Sequence, residues 1–336
     1  RRILIGGRKI GVIRPKDEEK SIEFFYFSMK LNPKVIPLPM SDKSEWYILV
    51  NPTAGGGRVR RRWPHIQSQL DDQSWRYTLG VTEYPGHATE LVRQAIQEGY
   101  RHFLAVGGDG TNNEAINGIF SQKAVASTEL HYALLPIGTG NDWIKAHGIP
   151  RQPAEVLAML RRGQYRYQDV GWVSYHRDGQ KQERYFVNVA GMGYDAFVVQ
   201  RAVASGRRGG SLGYLWQALR GLIDYELRPA RVRFDDREIE AVFYTIHAGI
   251  APYSGGGMRF VPHAQLDDGR LALTLIREIA KPKVLANLYR LYNGSIGQLA
   301  EVEQHYARHI RVDGRAGKAT SLEVDGEFLG ETPVVP

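Results

Sequence analysis

Three times in the first half of the chain a short apolar run ends in a turn of small and polar residues and then opens into a helical pattern. Trp46-Tyr47-Ile48-Leu49-Val50 leads into Asn51-Pro52-Thr53-Ala54-Gly55-Gly56-Gly57. His102-Phe103-Leu104-Ala105-Val106 leads into Gly107-Gly108-Asp109-Gly110-Thr111, and Tyr132-Ala133-Leu134-Leu135-Pro136 into Gly138-Thr139-Gly140-Asn141-Asp142. A turn that leaves a strand and enters a helix aims several backbone N–H groups at one point, where the helix dipole favours negative charge. Glycine lets phosphate oxygens approach that backbone closely. One such turn also serves ordinary α/β connections, but three after successive strands fall along one edge of a parallel sheet, where ligands bind. Asp109 adds a cation to this logic. An acidic side chain among amides suited to anions is electrostatically odd unless Mg²⁺ or a transferable proton lies between it and the phosphate. The plainer alternative is that Asp109 and Thr111 form the turn and cap the next helix. Near the end of the chain, an Asp325-Gly326-Glu327 turn after a strand can project one carboxylate into a cleft, and it equally suits a solvated hairpin. The standard nucleotide fingerprints are missing: no Lys-Ser/Thr follows Gly55-Gly56-Gly57, and no Gly-x-Gly-x-x-Gly follows a strand.

These turns need a scaffold of alternating strands and helices. Ala88, Leu91, Val92, Ala95 and Ile96 fall on one helical face that stops near Gly99, and a basic stretch after Gly57 reads as helix to about Leu70. The rhythm predicts an α/β domain with a parallel sheet over residues 46–162. From 163 to 336 the texture changes to short runs such as Tyr185–Val189, Ala241–His247, Leu271–Ile276 and Leu322–Val324, with Asp178-Gly179 and Asp268-Gly269 suited to hairpins. That predicts a mostly antiparallel domain with two embedded helices, one over about 211–225 and one starting at Pro282 and carrying Leu285, Leu288, Leu291 and Tyr292. Residues 1–45 fit neither domain and read as an extension or linker without assigned chemistry.

The length of 336 residues suits two domains, and 43% hydrophobic with 24% charged residues excludes a disordered chain. No apolar run approaches a membrane-spanning length, and zero cysteines exclude disulfides, thiolate metal sites and a thiol nucleophile. His87 reads as helping a helix start. With 44 Lys+Arg against 36 Asp+Glu the net charge is +8, which suits acidic partners: nucleotide phosphates, nucleic acid or an anionic membrane face. The Arg1-Arg2 opening and Ile3 to Gly7 are too short for a secretory signal, so the expected location is cytoplasmic.

Taken together, Asn51 to Gly55, Thr82 with Gly86-His87-Ala88, Gly107 to Thr111 and Gly138 to Asp142 resemble the diacylglycerol kinase catalytic domain family, soluble bacterial lipid kinases related to sphingosine kinases. The likeness continues through Asn188 to Asp195, Gly255-Gly256-Gly257-Met258, Leu266-Asp267-Asp268-Gly269 and Asp325-Gly326-Glu327, and spans about 46–333. It implies a three-layer nucleotide-binding α/β domain like that of NAD kinases, then an antiparallel β-sandwich lipid domain, with ATP in the cleft. Carried over residue by residue, Asn51, Pro52, Thr53, Ala54, Gly55, Thr82, Gly107, Gly108, Asp109, Gly110, Thr111, Asn112, Asn113 and Thr139 surround the nucleotide. By the same resemblance Asp109 works through Mg²⁺ and Glu327 is the general base on the lipid hydroxyl. The loop with Asp268 and the backbone oxygens near Gln265 and Arg270 resembles the family's structural magnesium site.

Two departures stand out: Asn112 occupies a position that is usually apolar, and the family pattern runs on with strand-forming residues past Glu331-Thr332-Pro333, where this sequence reaches Pro336. The expected activity is γ-phosphoryl transfer from Mg·ATP to a membrane lipid, with diacylglycerol, giving phosphatidic acid, as the leading substrate. Sphingoid bases and other lipid alcohols, a soluble dinucleotide as in NAD kinases, and a non-catalytic lipid or nucleotide binder are the rivals. Arg58, Arg60, Arg61 and Arg62 beside Trp63, and Arg207-Arg208, suggest peripheral docking on the inner membrane face, although charge runs also serve as plain solvated surface. No nucleic-acid-binding signature is present, and dimerisation is left open.

Overall fold

The computed structural model describes residues 22–27, 45–163, 165–177, 179–204, 220–222, 224–315 and 320–331. Its first element is a strand, β1 (Ile22–Phe27), whose partners all come much later in the chain. The next strand, β2 (Trp46–Val50), has all five residues buried, as a strand covered on both faces requires. It lies inside a four-stranded parallel sheet with β3 (Tyr77–Val81), β4 (His102–Gly107) and β5 (His131–Pro136), in the order β3-β2-β4-β5. The strand order reverses between β2 and β4, so the crevice beyond their carboxyl ends is the expected ligand position.

Helices cover both faces of this sheet. On one side α1 (Ala54–Asp72) and α5 (Pro153–Arg161) contribute Val59, Ile66, Leu70, Val156, Leu157 and Leu160 to a core with Ile48, Val50, Leu104 and Leu135. On the other, α2 (His87–Gln97) and α3 (Asp109–Ser121) pack Ala88, Val92, Ala95, Ile96, Ala115, Ile116 and Ile119 against Leu49, Phe103 and Leu134. The short helix α4 (Asp142–His147) adds Trp143 and Ile144 to that second core. The expected amphipathic face of α2 is thus the buried one.

Apart from the short two-stranded ladder of β11 (Tyr253–Ser254) and β12 (Met258–Arg259), the described strands of the second half form one curled antiparallel sheet. Its path runs β17 (Glu327–Glu331), β16 (Ser321–Val324), β8 (Val189–Gly193), β10 (Arg237–Gly249), β9 (Arg228–Phe234), β15 (His309–Gly314), β1, β6 (Val170–Arg177) and β7 (Gln180–Phe186). β13 (Leu271–Arg277) also pairs with β10, and β14 (Val302–Ala307) pairs with β13. One core collects side chains from all along this path, among them Phe24, Val173, Phe186, Met192, Val232, Ile246, Leu273, Val312 and Leu322, so the sheet folds over its own inner face in a sandwich-like manner. Helix α6 (Tyr194–Ala204) follows β8 directly.

Several expectations change here. Ile22–Phe27, inside the segment read as extension or linker, is fully integrated: β1 pairs with β6 and β15, and Ile22 and Phe24 are 0% exposed. Most of the helix expected over 211–225 and the pair Arg207-Arg208 lie outside the described residues, as do the segment Ile3 to Ile13 and the last five residues. The helix starting near Pro282 is two short ones, Lys281–Ala286 and Tyr289–Asn293, because the first ends at Asn287, whose side chain donates back to the Lys283 carbonyl at 2.8 Å. Asp268-Gly269 does not close a hairpin. The Asp169 carboxylate takes the Gly269 N–H at 2.8 Å and ties that turn to the segment before β6.

Phe24→Ala tests the integration of β1. Emptying a fully buried phenylalanine site should cost about 3–5 kcal/mol, read as a lower midpoint in chemical unfolding; a loss under about 1 kcal/mol would show that β1 is not part of the core.

Candidate active site

The three turns meet at the carboxyl ends of β2, β4 and β5 through direct contacts. Asn51 donates from Nδ2 to Thr111 Oγ1 at 3.0 Å, while its Oδ1 accepts the N–H and hydroxyl of Thr53 at 3.1 and 2.9 Å. Gly55, Gly56 and Gly57 all adopt positive φ (61, 68 and 80°), a left-handed turn that only glycine enters freely, before α1 proper begins. Arg58 then donates to the Gly55 carbonyl at 2.8 Å and to Thr139 Oγ1 at 3.1 Å, tying the first turn to the third. The second and third turns touch backbone to backbone, since a Cβ on Gly108 would lie 2.8 Å from Gly138 Cα. Asn141, at φ 50°, closes the third turn by exchanging hydrogen bonds with Gly138 N–H and C=O.

Asp109 opens α3 beside Asp142. Its Oδ1 accepts the Asp142 N–H at 2.8 Å. Its Oδ2 faces the space in front of Gly140: a Cβ there would sit 2.8 Å from Asp109 Oδ2 and 3.5 Å from Asp142 Oδ2. Two carboxylate oxygens therefore converge on one small opening, an arrangement that suits a divalent cation or a proton. Burial pushes the Asp109 carboxyl up to about 6 and the Asp142 charge adds to this, against backbone donors that pull it down. Asp142 is engaged on its own account, accepting Lys145 Nζ at 2.7 Å and the Gly256 N–H at 2.8 Å, so it also ties α4 to the Gly255-Gly256-Gly257 turn of the second domain.

Glu327 arrives from that second domain. The turn before it is held by Asp325, buried and at φ 50°, whose carboxylate accepts Asn113 Nδ2 (2.8 Å) and the N–H groups of Val187 (3.1 Å), Asn188 (2.9 Å) and Val189 (3.2 Å). The Gly326 N–H donates to Glu323 Oε2 at 2.8 Å. Thus anchored, Glu327 stands over the start of α3, with Oε1 3.3 Å from where a Cβ on Gly110 would be. Arg184 of β7 donates to its Oε2 at 2.6 Å. Burial raises the Glu327 carboxyl to about 7; Arg184 works against that rise while Glu114 and Asp325 add to it. Its side chain is still 35% exposed, which leaves it within reach of a substrate.

The other expected positions fall as follows. Thr82 is buried at the end of β3, its N–H bonded to the Val50 carbonyl. Pro52 and Ala54 belong to the first turn, and Gly107 packs under Thr111, where a Cβ would meet Oγ1 at 2.4 Å. Asn112, 1% exposed, accepts the Tyr132 hydroxyl at 2.7 Å, which explains how a polar residue sits at that position. Asn113 is a domain-bridging residue through Asp325. Gln265, Asp268 and Arg270 lie together in the loop before β13, away from the three turns; Asp268 Oδ1 accepts the Arg270 N–H at 3.0 Å. Among the described residues no three His, Asp or Glu side chains group as a metal site; this loop offers the carboxylates of Asp267 and Asp268 and otherwise backbone oxygens. His87 accepts the Glu83 N–H at the start of α2, while Glu114 caps that helix through Gly86 and Ala88.

Arg58, Asn117 and Arg184 were not singled out for this cleft by the sequence. Asn117 carried a signal, as it stands four residues after Asn113, between the apolar Ile116 and Ile119. It donates to Asn113 and to the Tyr185 carbonyl. Arg184 carried none, being 143 positions from its partner.

Two family models match the chain. One, described as the diacylglycerol kinase catalytic domain, matches residues 45–173, and the other, described as the YegS C-terminal NAD kinase beta sandwich-like domain, matches 188–336. Residues 45–173 belong to the diacylglycerol kinase catalytic domain family. With both units of that architecture present, the chain is a lipid kinase. Similar proteins include a diacylglycerol kinase of Staphylococcus saprophyticus, 27% identical over 300 residues covering 85% of this chain and 90% of that one. A diacylglycerol kinase of Staphylococcus aureus (strain bovine RF122) is 28% identical, covering 85% and 87%. A crystal structure of a diacylglycerol kinase from Bacillus anthracis superposes with a TM-score of 0.61 at 20% identity, covering 86% of this chain and 92% of that one, and shares the fold. No helix among the described residues is long and apolar enough to cross a membrane.

The raised Asp109 carboxyl has a testable sign. A carboxyl that titrates near 6 in the folded kinase and near 3.8 when unfolded favours folding below about pH 4 and loses that contribution as the pH rises through 6. Asp109→Asn, which keeps an oxygen for the Asp142 N–H, should therefore stabilise the nucleotide-free protein at pH 8 by on the order of 1 kcal/mol and give no gain at pH 4. Thermal unfolding at the two pH values checks this, and equal gains at both would remove the carboxyl's burial as the cause.

Proposed function

We propose that this lipid kinase transfers the γ-phosphoryl of Mg·ATP to the hydroxyl of a membrane lipid, with diacylglycerol as the substrate and phosphatidic acid as the product. The observation that carries this reading is the placement of Glu327 from one domain over the Gly110 start of α3 in the other, beside the paired Asp109 and Asp142 carboxylates. The nucleotide phosphates lie on the amides of the Gly55–Gly57, Gly107–Thr111 and Gly138–Asn141 turns, with Arg58, Thr53 and Thr139 at their edge. Asp109 and Asp142 fit a magnesium ion, which when bound neutralises the phosphate oxygens. In the same reading the Asp268 loop, with Asp267 beside it and the carbonyls of Gln265 and Arg270, serves as a second, structural cation site.

The residues then divide the chemistry. Glu327, poised near neutrality, takes the proton of the lipid hydroxyl as its oxygen attacks the γ-phosphorus in line; the bond from that phosphorus to the β,γ-bridging oxygen breaks and ADP leaves. The turn amides and Arg58 hold the phosphates, and Asp325 with Asn113 keeps base and phosphate in register across the domain boundary. Peripheral attachment to an anionic bilayer is supported by the exposed Arg60, Arg61 and Arg62 on α1.

Transfer from γ-labelled ATP with Mg²⁺ tests the assignment, with diacylglycerol, a sphingoid base, a monoacylglycerol and NAD offered in parallel. Label should enter diacylglycerol. Glu327→Gln should lower kcat by roughly 10²–10⁴ while keeping Mg·ATP affinity within a few-fold, and Asp109→Ala should lose both. Label in another lipid moves the substrate; label in NAD, or full activity in Glu327→Gln, overturns the mechanism.

A further inference from the structure

We propose that Arg184 is a positioning residue for Glu327, holding its carboxylate in the orientation and charge state that a general base needs. The proposal rests on the lipid-kinase reading of Glu327 given above.

The pair sits at a singular place in the fold. The antiparallel path begins at β17 and ends at β7, and Glu327 and Arg184 belong to these two ends. Their contact at 2.6 Å bridges the opening of the curl where the second domain faces α3. Among the described residues Glu327 is the one hydrogen-bond acceptor of this guanidinium, and the Arg184 Nε is buried with no partner. Arginine is commonly held in place by several acceptors at once when it serves the scaffold. Here a partly enclosed cation (side chain 23% exposed) is spent on a single carboxylate.

The charges around that carboxylate explain why it needs a cation. Glu114 faces it from α3, Asp325 from its own turn, and Asp109 precedes the Gly110 beneath it. From β6 comes Tyr175, whose hydroxyl donates to Gln182, while Arg177 of β6 lies farther along, against Gly330. Arg184 is the positive group in contact. A carboxyl with Glu114 and Asp325 as acidic neighbours and much of its water removed tends to keep its proton, and a protonated carboxyl accepts none from a substrate hydroxyl. The guanidinium works against that tendency. Its contact with Oε2 also leaves Oε1 as the free oxygen, on the side toward Gly110 and the phosphate turns.

The test compares pH profiles of kcat/KM for the lipid acceptor, at saturating Mg·ATP, in wild type, Arg184→Gln and Arg184→Lys. Removing a positive neighbour raises a carboxyl's pKa, so the acidic limb of Arg184→Gln should move up by about one unit. Its activity should fall about tenfold more at pH 6 than at pH 9. Arg184→Lys should lie between, and KM for ATP should stay within about twofold. Carbon-13 titration of the Glu327 carboxyl, assigned by its loss in Glu327→Gln, should show the same displacement without turnover. An unmoved limb with activity lowered evenly across pH, or an unmoved carboxyl titration, overturns the proposal and leaves Arg184 a packing residue. Wild-type protein that phosphorylates no lipid removes the underlying reading and this proposal with it, an outcome visible before any variant is measured.

Discussion

The buried carboxylate of Asp325 is the one group on which both halves of the molecule depend. Three backbone amides of the β7–β8 connection and the side-chain amide of Asn113 converge on it, so the turn that carries Glu327, the strand junction of the second domain and the third helix of the first are fixed to one point. Such a group is expensive to bury and is tolerated because its oxygens are so fully occupied. Burial still works to raise its pKa, with those donors pulling the other way. Without this clamp Glu327 and the three glycine-rich turns would belong to two bodies with no defined separation, and proximity is much of what an enzyme of this kind supplies.

Carboxylates are concentrated along this boundary in a chain whose net charge is +8. Asp109 and Asp142 lie on one side, Glu323, Asp325 and Glu327 on the other, and Asp142 reaches across to Gly256 as Asp325 reaches across to Asn113. The two bridges run in opposite directions, each an acid of one domain accepting from a donor of the other. The cleft is therefore held by hydrogen bonds whose acceptors are charged, the stronger kind, together with apolar contact such as that of Phe120 with Tyr185.

The three glycine-rich turns were legible in the sequence because each is a contiguous strand, turn and helix, with its signal carried by neighbouring residues. The helical face of Ala88 to Ile96 was legible for the same reason. What escaped were relations between distant positions. Nothing beside Arg184 announces Glu327, and nothing around Ile22–Phe27 announces that its hydrogen-bonding partners are β6 and β15, the latter some 290 positions later. Periodicity misled where a local hydrogen bond intervened: Leu285, Leu288, Leu291 and Tyr292 keep helical spacing, but Asn287 ends the first helix between them. At Asp268-Gly269 the hairpin signal was overruled by Asp169, a residue from another segment. The base role of Glu327 rested on resemblance, since an Asp-Gly-Glu turn alone does not distinguish a surface hairpin from a clamped one.

The pairing of β1 with β6 has a further meaning for how the chain is put together. Phe27 lies opposite Val170 in the ladder, so the backbone leaves the antiparallel sheet and returns to it at facing positions. The whole nucleotide-binding unit is, in topological terms, a giant hairpin loop inserted between two neighbouring strands. During synthesis that unit, with its mostly local contacts, is free to fold as soon as it emerges, while the aromatic stretch of β1 must wait for partners not yet made. The same arrangement makes the β domain a candidate for existing alone: joining the ends of its two facing strands by a short turn would excise the insert without moving a single strand of the sheet.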